Sequence, residues 1–354
     1  MVNLKNNPFF KVLFSAKFSH AQLVINWNPE KRELPLELTQ KIDSFWQQEI
    51  VETAKNEFIF NGELCRLNGW RFQKDKLTLD LGLSDYNELL FSNQFMNDIA
   101  QRFGKDSLSG ALGVSVVLVS DDEQIILIKR SKAVGENPGD LDVLGGHIHP
   151  QENAVSGIPD PFLAIKAEIK EEVHLDLKND DPLDCIGLIE TVDTKKPELF
   201  FKAKSRLKTE EIIRLASLKQ SGEVAEFLTI SNKKKSLAQF LEANSNQFSP
   251  SALGVCASMQ TPFNNSIQGC PNKFHFSFWF LIFILINLAC APSRFGIKHS
   301  FSKKAVAELT QQIESVLGDS ALYQSRTGIK SSLYKPGKSF TPETASFYFI
   351  QPRI

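Results

Sequence analysis

Apolar and polar positions along this chain fall into runs of two kinds. β-branched and aromatic runs bounded by turn residues, the mark of buried strands, occupy 112–119, 124–129, 186–192 and 199–203, and a shorter run of the same type covers 21–25. Residues 78–83 alternate as Thr78-Leu79-Asp80-Leu81 with Leu83, a further strand pattern. Spacing nearer the helical period marks 36–54, where Ile42, Phe45, Trp46, Ile50 and Val51 recur at roughly one face. A charged helix is expected at 210–218, and an amphipathic one at 303–317 through Val306, Leu309, Ile313 and Val316. Strands that alternate with helices in this way predict the α/β class, in the form of an α/β/α sandwich.

The same pattern divides the chain into three parts. Residues 1–108 read as a small α/β extension, 109–258 as the main α/β domain, and 259–354 as an atypical, partly disordered tail. The tail opens on Thr261-Pro262-Phe263-Asn264-Asn265 and continues into an apolar run at 274–291. Eighteen helical residues would extend about 27 Å, near the thickness of a bilayer's hydrocarbon core. His275, Ser277 and Asn287 interrupt the run, so insertion would be marginal and membrane association is the minority reading.

Composition narrows the function classes. Forty basic and 41 acidic residues leave a formal charge of −1, with no basic stripe, so polymeric nucleic acid is not an expected partner. Cys65, Cys185, Cys256, Cys270 and Cys290 are odd in number and show no Cys-x-x-Cys spacing, which favours a reducing compartment over disulfides or structural zinc. The N-terminus lacks an apolar segment ending in a small-residue cleavage site. A cytoplasmic location follows, with the nucleus as the other reducing compartment.

Candidate chemistry concentrates in residues 145–175. Glu168, Glu171 and Glu172 stand at offsets 0, +3 and +4, so a helix presents them on one face. Like charges at these spacings cost a bare helix roughly 0.2–0.5 kcal/mol per pair, and an oxygen-preferring divalent cation is the usual reason to keep them together. An ordinary solvated acidic face is the bland alternative. Gly145-Gly146 would let the backbone approach a phosphate closely, or simply turn the chain. His147 and His149 alternate by two and would share a face on a strand. Arg130 carries a guanidinium suited to two-pronged phosphate binding.

Gly146, Glu152 and the run Glu168-Ile169-Lys170-Glu171-Glu172-Val173-His174-Leu175 resemble the signature of the Nudix hydrolase family. There are three departures. Ala167 replaces the family's arginine, His174 replaces its closing glycine, and 14 residues (153–166) stand where seven are usual. With Gly157, Pro159 and Pro161, that segment reads as a lengthened loop before the helix. Flanking motifs, Leu81-Gly82-Leu83-Ser84-Asp85-Tyr86, Pro138-Gly139-Asp140-Leu141-Asp142-Val143-Leu144 and Ser249-Pro250-Ser251-Ala252-Leu253-Gly254, resemble the UDP-glucose pyrophosphatase branch of that family over roughly residues 10–255. Beyond Gly254 the resemblance stops abruptly, and the tail reads as sequence foreign to the family, such as a read-through from an incorrect gene model.

The resemblance implies Mg²⁺-dependent hydrolysis of UDP-glucose and UDP-galactose to UMP and sugar 1-phosphate, with Mn²⁺ able to substitute. It implies Glu168 and Glu172 as metal ligands, Glu152 as an additional one, and Glu171 as a water-mediated ligand or base. Phe60, Tyr86, Arg130, Gly135, Asp142, His147, His149 and Ser251 match positions that contact the substrate, with Asp142 expected to accept from sugar hydroxyls and His149 standing where relatives have glutamate. Two alternatives remain open: a Nudix pyrophosphatase for another diphosphate such as ADP-ribose, and a non-catalytic nucleotide-sugar binder.

Overall fold

A computed structural model describes residues 7–51, 60–73, 75–178, 180–218 and 222–260. In chain order these form β1 (Phe10–Phe18), β2 (Leu23–Lys31), α1 (Leu36–Phe45), β3 (Glu63–Gln73), β4 (Lys76–Asp85), α2 (Tyr86–Arg102), β5 (Gly113–Val119), β6 (Gln124–Arg130), β7 (Leu141–Asp142), β8 (Leu144–His147), β9 (Ala154–Val155), β10 (Ile158–Pro159), α3 (Pro161–Val173), β11 (Leu183–Thr191), β12 (Pro197–Lys204), α4 (Thr209–Ala216), β13 (Val224–Ser231), α5 (Lys234–Asn244) and α6 (Pro250–Ser258).

The four strand runs expected in this part, β5, β6, β11 and β12, form the middle of a mixed central sheet in the order β1-β11-β12-β5-β6-β13, with β7 paired to β6 and β8 to β5, while the outer strands β1 and β13 were not expected. β12 and β5 run parallel and the other pairs antiparallel. Every residue of β5 is buried, which is why it reads as a continuous apolar run. Its side chains alternate between two cores. Val114, Val116 and Leu118 face α3 and α4, while Val117 and Val119 face α5 and α6. The layering is the expected α/β/α sandwich.

Three expectations change. The division at residue 108 does not follow the sheets, because β1 is an outer strand of the central sheet, with Phe10 opposite Thr191 on β11. A second sheet, β2-β4-β3, completes the N-terminal part, and its Leu77, Leu79 and Leu81 share one core with Phe14 and Phe18 of β1 and with Ile165 and Ile169 of α3. The helix expected over 36–54 is α-helical only to Phe45 and continues as a π-helix over Trp46–Val51, and residues 52–54 lie outside the described residues. The segment 153–166 is only half a loop. Ala154–Val155 and Ile158–Pro159 pair as a small hairpin, and α3 already begins at Pro161. The sequence missed this because Pro161 reads as a breaker, whereas at the first helical position proline's missing N–H costs nothing. The expected apolar run and the amphipathic helix of the tail lie outside the described residues. Among the described residues no helix is long and apolar enough to cross a membrane.

Candidate functional site

α3 is defined at both ends. Asp160 caps its start, its side chain accepting the Phe162 N–H at 2.8 Å, an interaction worth about 1 kcal/mol. At the other end His174 takes the left-handed conformation (φ 53°, ψ 32°) in which helices commonly close on glycine. A glycine would adopt that geometry at least cost, so the histidine here carries backbone strain. Between the ends, Phe162, Ile165, Ile169 and Val173 pack into the core and fix the rotation of the helix. Glu168 and Glu172 then face β8, with Glu172 buried, Glu168 half-buried and Glu171 exposed.

β8 is pressed against this face, and its glycines permit the contact. A Cβ on Gly146 would lie 2.3 Å from Glu168 Oε1, and one on Gly145 would lie 2.4 Å from the Val114 carbonyl oxygen. The Gly145 N–H donates to Glu172 Oε2 at 3.0 Å, while Glu172 Oε1 is buried and accepts no hydrogen bond. Burial, with the neighbouring charge of Glu171, pushes the Glu168 carboxyl up to about 8. Burial beside Glu168 pushes Glu172 well above the usual carboxylate range. The positive field that opposes both shifts comes from Arg130, which lies across the cleft where the chain has no arginine at position 167.

All twelve residues singled out from the sequence line one cleft of about 310 Å³. Tyr86 packs edge-on against His147 with ring centroids 6.5 Å apart, and its hydroxyl passes so close to Gly135 that a Cβ there would sit 2.7 Å away. Phe60, by contrast, is 66% exposed at the mouth. Arg130 Nη1 stands 3.6 Å from Asp142 Oδ2, and Asp142 Oδ1 accepts the Val143 N–H at 2.9 Å. His149 and Glu152 lie in a turn clamped by Asn153, whose side chain accepts the His149 N–H at 2.8 Å. Ser251 follows Ser249, which caps α6 by accepting the Ala252 N–H.

The cleft also holds residues that the sequence did not single out, among them Ser115, Glu136, Lys196, Glu198 and Glu223. Lys196 Nζ contacts both oxygens of Glu136 at 3.1 Å, which helps hold that buried carboxyl down at about 2. Burial pushes Glu198 up to about 7 and His147 down to about 3. The one signal in the sequence was Glu198, a charge immediately ahead of the apolar run 199–203.

Among the described residues no three His, Cys, Asp or Glu side chains form a ready-made metal cage. The carboxylates of α3 nevertheless suit a hard cation. A buried and a half-buried carboxyl share one face, Glu172 Oε1 has no hydrogen-bond partner, and Mg²⁺ asks for only one or two protein carboxylates alongside water and substrate phosphates.

No family model matches the chain. It is similar to Nudix hydrolase 9 of Arabidopsis thaliana, 26% identical over 252 residues that cover 60% of this chain and 79% of that protein. It is also similar to the uridine diphosphate glucose pyrophosphatase NUDT22 of Mus musculus, 28% identical over 184 residues (45% of this chain, 59% of that protein). The Homo sapiens protein of the same name is 31% identical over 122 residues (29% and 40%). The chain thus spans four-fifths of the first relative and about half of the other two. A solved NUDIX domain, that of Shewanella oneidensis NrtR complexed with ADP ribose, overlaps 42% of this chain and 84% of its own at 13% identity and a TM-score of 0.28.

Proposed function

We propose that this chain, a relative of the Nudix hydrolases, hydrolyses the pyrophosphate bond of UDP-glucose and UDP-galactose, giving UMP and the sugar 1-phosphate. The observation that carries the reading is the pair Glu168 and Glu172, the first half-buried and the second buried, pressed against two obligatory glycines in a cleft that also contains Arg130 and two aromatic rings. Two carboxyls side by side, one buried and one half-buried, are costly to keep without a cation. They become useful when a divalent cation neutralises them and a substrate phosphate together.

In this reading Glu168 and Glu172 hold Mg²⁺, with Glu152 at the mouth as an additional ligand. When bound, the ion neutralises the pyrophosphate oxygens and stabilises the departing phosphate. Glu171, exposed and one turn from Glu168, accepts a proton from the attacking water, directly or through a second water. Arg130 binds the diphosphate from the opposite wall, oriented by Asp142. Tyr86 is already fixed by Gly135 and His147, and Phe60 closes over the base from the mouth. The names of the mouse and human relatives, uridine diphosphate glucose pyrophosphatases, support uracil as that base.

Substrate profiling tests this directly. UDP-glucose, UDP-galactose and ADP-ribose are offered with Mg²⁺, with Mn²⁺ and with chelator. Mg²⁺-dependent release of UMP with UDP-sugars preferred supports the reading; preference for ADP-ribose overturns the substrate, and turnover in chelator overturns the metal role.

A further inference from the structure

Behind the carboxylates of α3, the floor of the cleft carries a second polar cluster that cleavage of a pyrophosphate does not require. Lys196 stands just ahead of β12 and Glu198 two residues later, so both side chains leave the chain on one face. Register places Glu198 opposite Gly113 and Gly113 opposite His147, giving a single row across β12, β5 and β8. Gly113 leaves room in that row, and the Glu198 carboxylate fills it: a Cβ at 113 would lie 1.9 Å from Glu198 Oε2.

Within the row two polar atoms are unanswered. Ser115 Oγ donates to Glu198 Oε1, but Oε2 accepts no hydrogen bond although the side chain is only 5% exposed. His147 Nε2 lies 3.4 Å from Glu136 Oε2 and also makes no hydrogen bond. Lys196 Nζ is committed to Glu136 at 3.1 Å and stands 3.8 Å from Glu198 Oε2. Polar atoms buried in this way are costly to leave unpaired, so a ligand that completes them is favoured.

Charge and geometry decide which ligand. Lys196, the ammonium of the cluster, is already held by Glu136, and Glu198 brings no positive charge, so the cluster has no cation to spare for a phosphate. A neutral group that donates and accepts at once is what fits. The 3.8 Å gap between Lys196 and Glu198 is too long for a hydrogen bond, yet one hydroxyl oxygen can donate to the carboxylate and accept from the ammonium. A vicinal hydroxyl would then meet His147 Nε2. Asp142, expected from the sequence to read the sugar, already answers Arg130 and the Val143 N–H.

We infer that Glu198 and Lys196, together with His147, form the subsite that reads the hydroxyls of the sugar half of the substrate, with Glu198 as its specificity-determining residue. The inference rests on the proposed hydrolysis of nucleoside diphosphate sugars. It is tested by comparing UDP-glucose with the methyl ester of UDP, which keeps the pyrophosphate and lacks the sugar. The wild type should prefer UDP-glucose, and Glu198→Gln, nearly isosteric, should reduce that preference in kcat/KM by about 10- to 100-fold, the worth of a hydrogen bond to a charged group. Lys196→Met should act in the same direction, with thermal melts confirming that both variants fold; if Lys196→Met does not, Glu198→Gln alone carries the test. A parallel loss on both compounds, or no loss on either, overturns the inference. Should the wild type cleave neither compound, the hydrolase reading fails, and the same preference ratio measured as binding by calorimetry still decides the subsite.

Discussion

Mg²⁺ binding to this protein should be a proton-releasing reaction. The Glu168 carboxyl is pushed up to about 8 by burial and by Glu171, and Glu172 is raised well above its ordinary range by burial and by Glu168. At pH 6 Glu168 therefore carries a proton in the metal-free fold, one that a cation must displace, and the upward shift of Glu172 acts in the same direction. Apparent affinity then climbs about tenfold per pH unit if Glu168 alone gives up its proton, and about a hundredfold per unit if Glu172 does so as well. The sign for stability is the opposite. A carboxyl near 8 in the fold and near 4.5 unfolded binds more protons in the native state, so metal-free stability falls as pH rises from about 4.5 to 8 and flattens above. The upper bound on that loss for Glu168 is ~5 kcal/mol. Added Mg²⁺ should therefore raise the melting temperature more at pH 8 than at pH 6. Calorimetric titrations at both pH values, in buffers of different ionisation heat, count the protons released. Glu168→Gln should weaken binding and flatten its pH dependence. An Mg²⁺ affinity that is constant from pH 6 to 8, with no proton release, would refute the paired-carboxyl account.

Gly146→Ala places a Cβ 2.3 Å from Glu168 Oε1, so it should lower kcat/KM at least a hundredfold while leaving far-UV circular dichroism unchanged; retained turnover would show that Glu168 works from another position. His174→Gly should stabilise the protein by about 1 kcal/mol in urea melts, because the residue sits at φ 53°, and a loss of stability would mean that the imidazole's own contacts outweigh the backbone strain. Phe60, 66% exposed, contributes little to the core, so Phe60→Ala should keep the melting temperature and raise KM for UDP-glucose roughly 5- to 150-fold. An unchanged KM would return Phe60 to the surface.

How far the sequence could be read depends on where each signal lives. Glu168, Glu171 and Glu172 were legible because helical periodicity alone sets their common face, and the glycines because close approach leaves few alternatives to glycine. The inner strands β5, β6, β11 and β12 of the central sheet were legible because burial writes an apolar run, unbroken in β5. Glu136, Lys196 and Glu198 were not. Lys196 and Glu198 are charges beside an apolar run, and only the pairing of β12 with β5 and of β5 with β8 brings that edge to His147, while Glu136 lies in the connection from β6 to β7, whose path nothing local fixes. β1 was missed for the same reason, since nothing local says that Phe10–Phe18 will pair with a strand some 170 residues away.

The N-terminal part bears on function through backbone as much as through side chains. Two hydrogen bonds run from Cys65 of β3 into the main sheet region, its N–H donating to the Ile148 carbonyl at 2.9 Å and its carbonyl accepting the Leu112 N–H at 2.8 Å. Ile148 lies between the two cleft histidines, and Leu112 immediately precedes β5. Arg32, paired with Glu88 at 2.9 Å, and Arg66 both donate to the carbonyls of the chain between 106 and 109, fixing the approach to that same strand. The Tyr86 N–H donates to the Gly62 carbonyl, which ties the start of α2 to the residues beside Phe60. The second sheet therefore sets the positions of His147, His149 and Tyr86 together, so the geometry that would recognise a nucleotide is fixed by the same hydrogen bonds that join the two sheets into one fold.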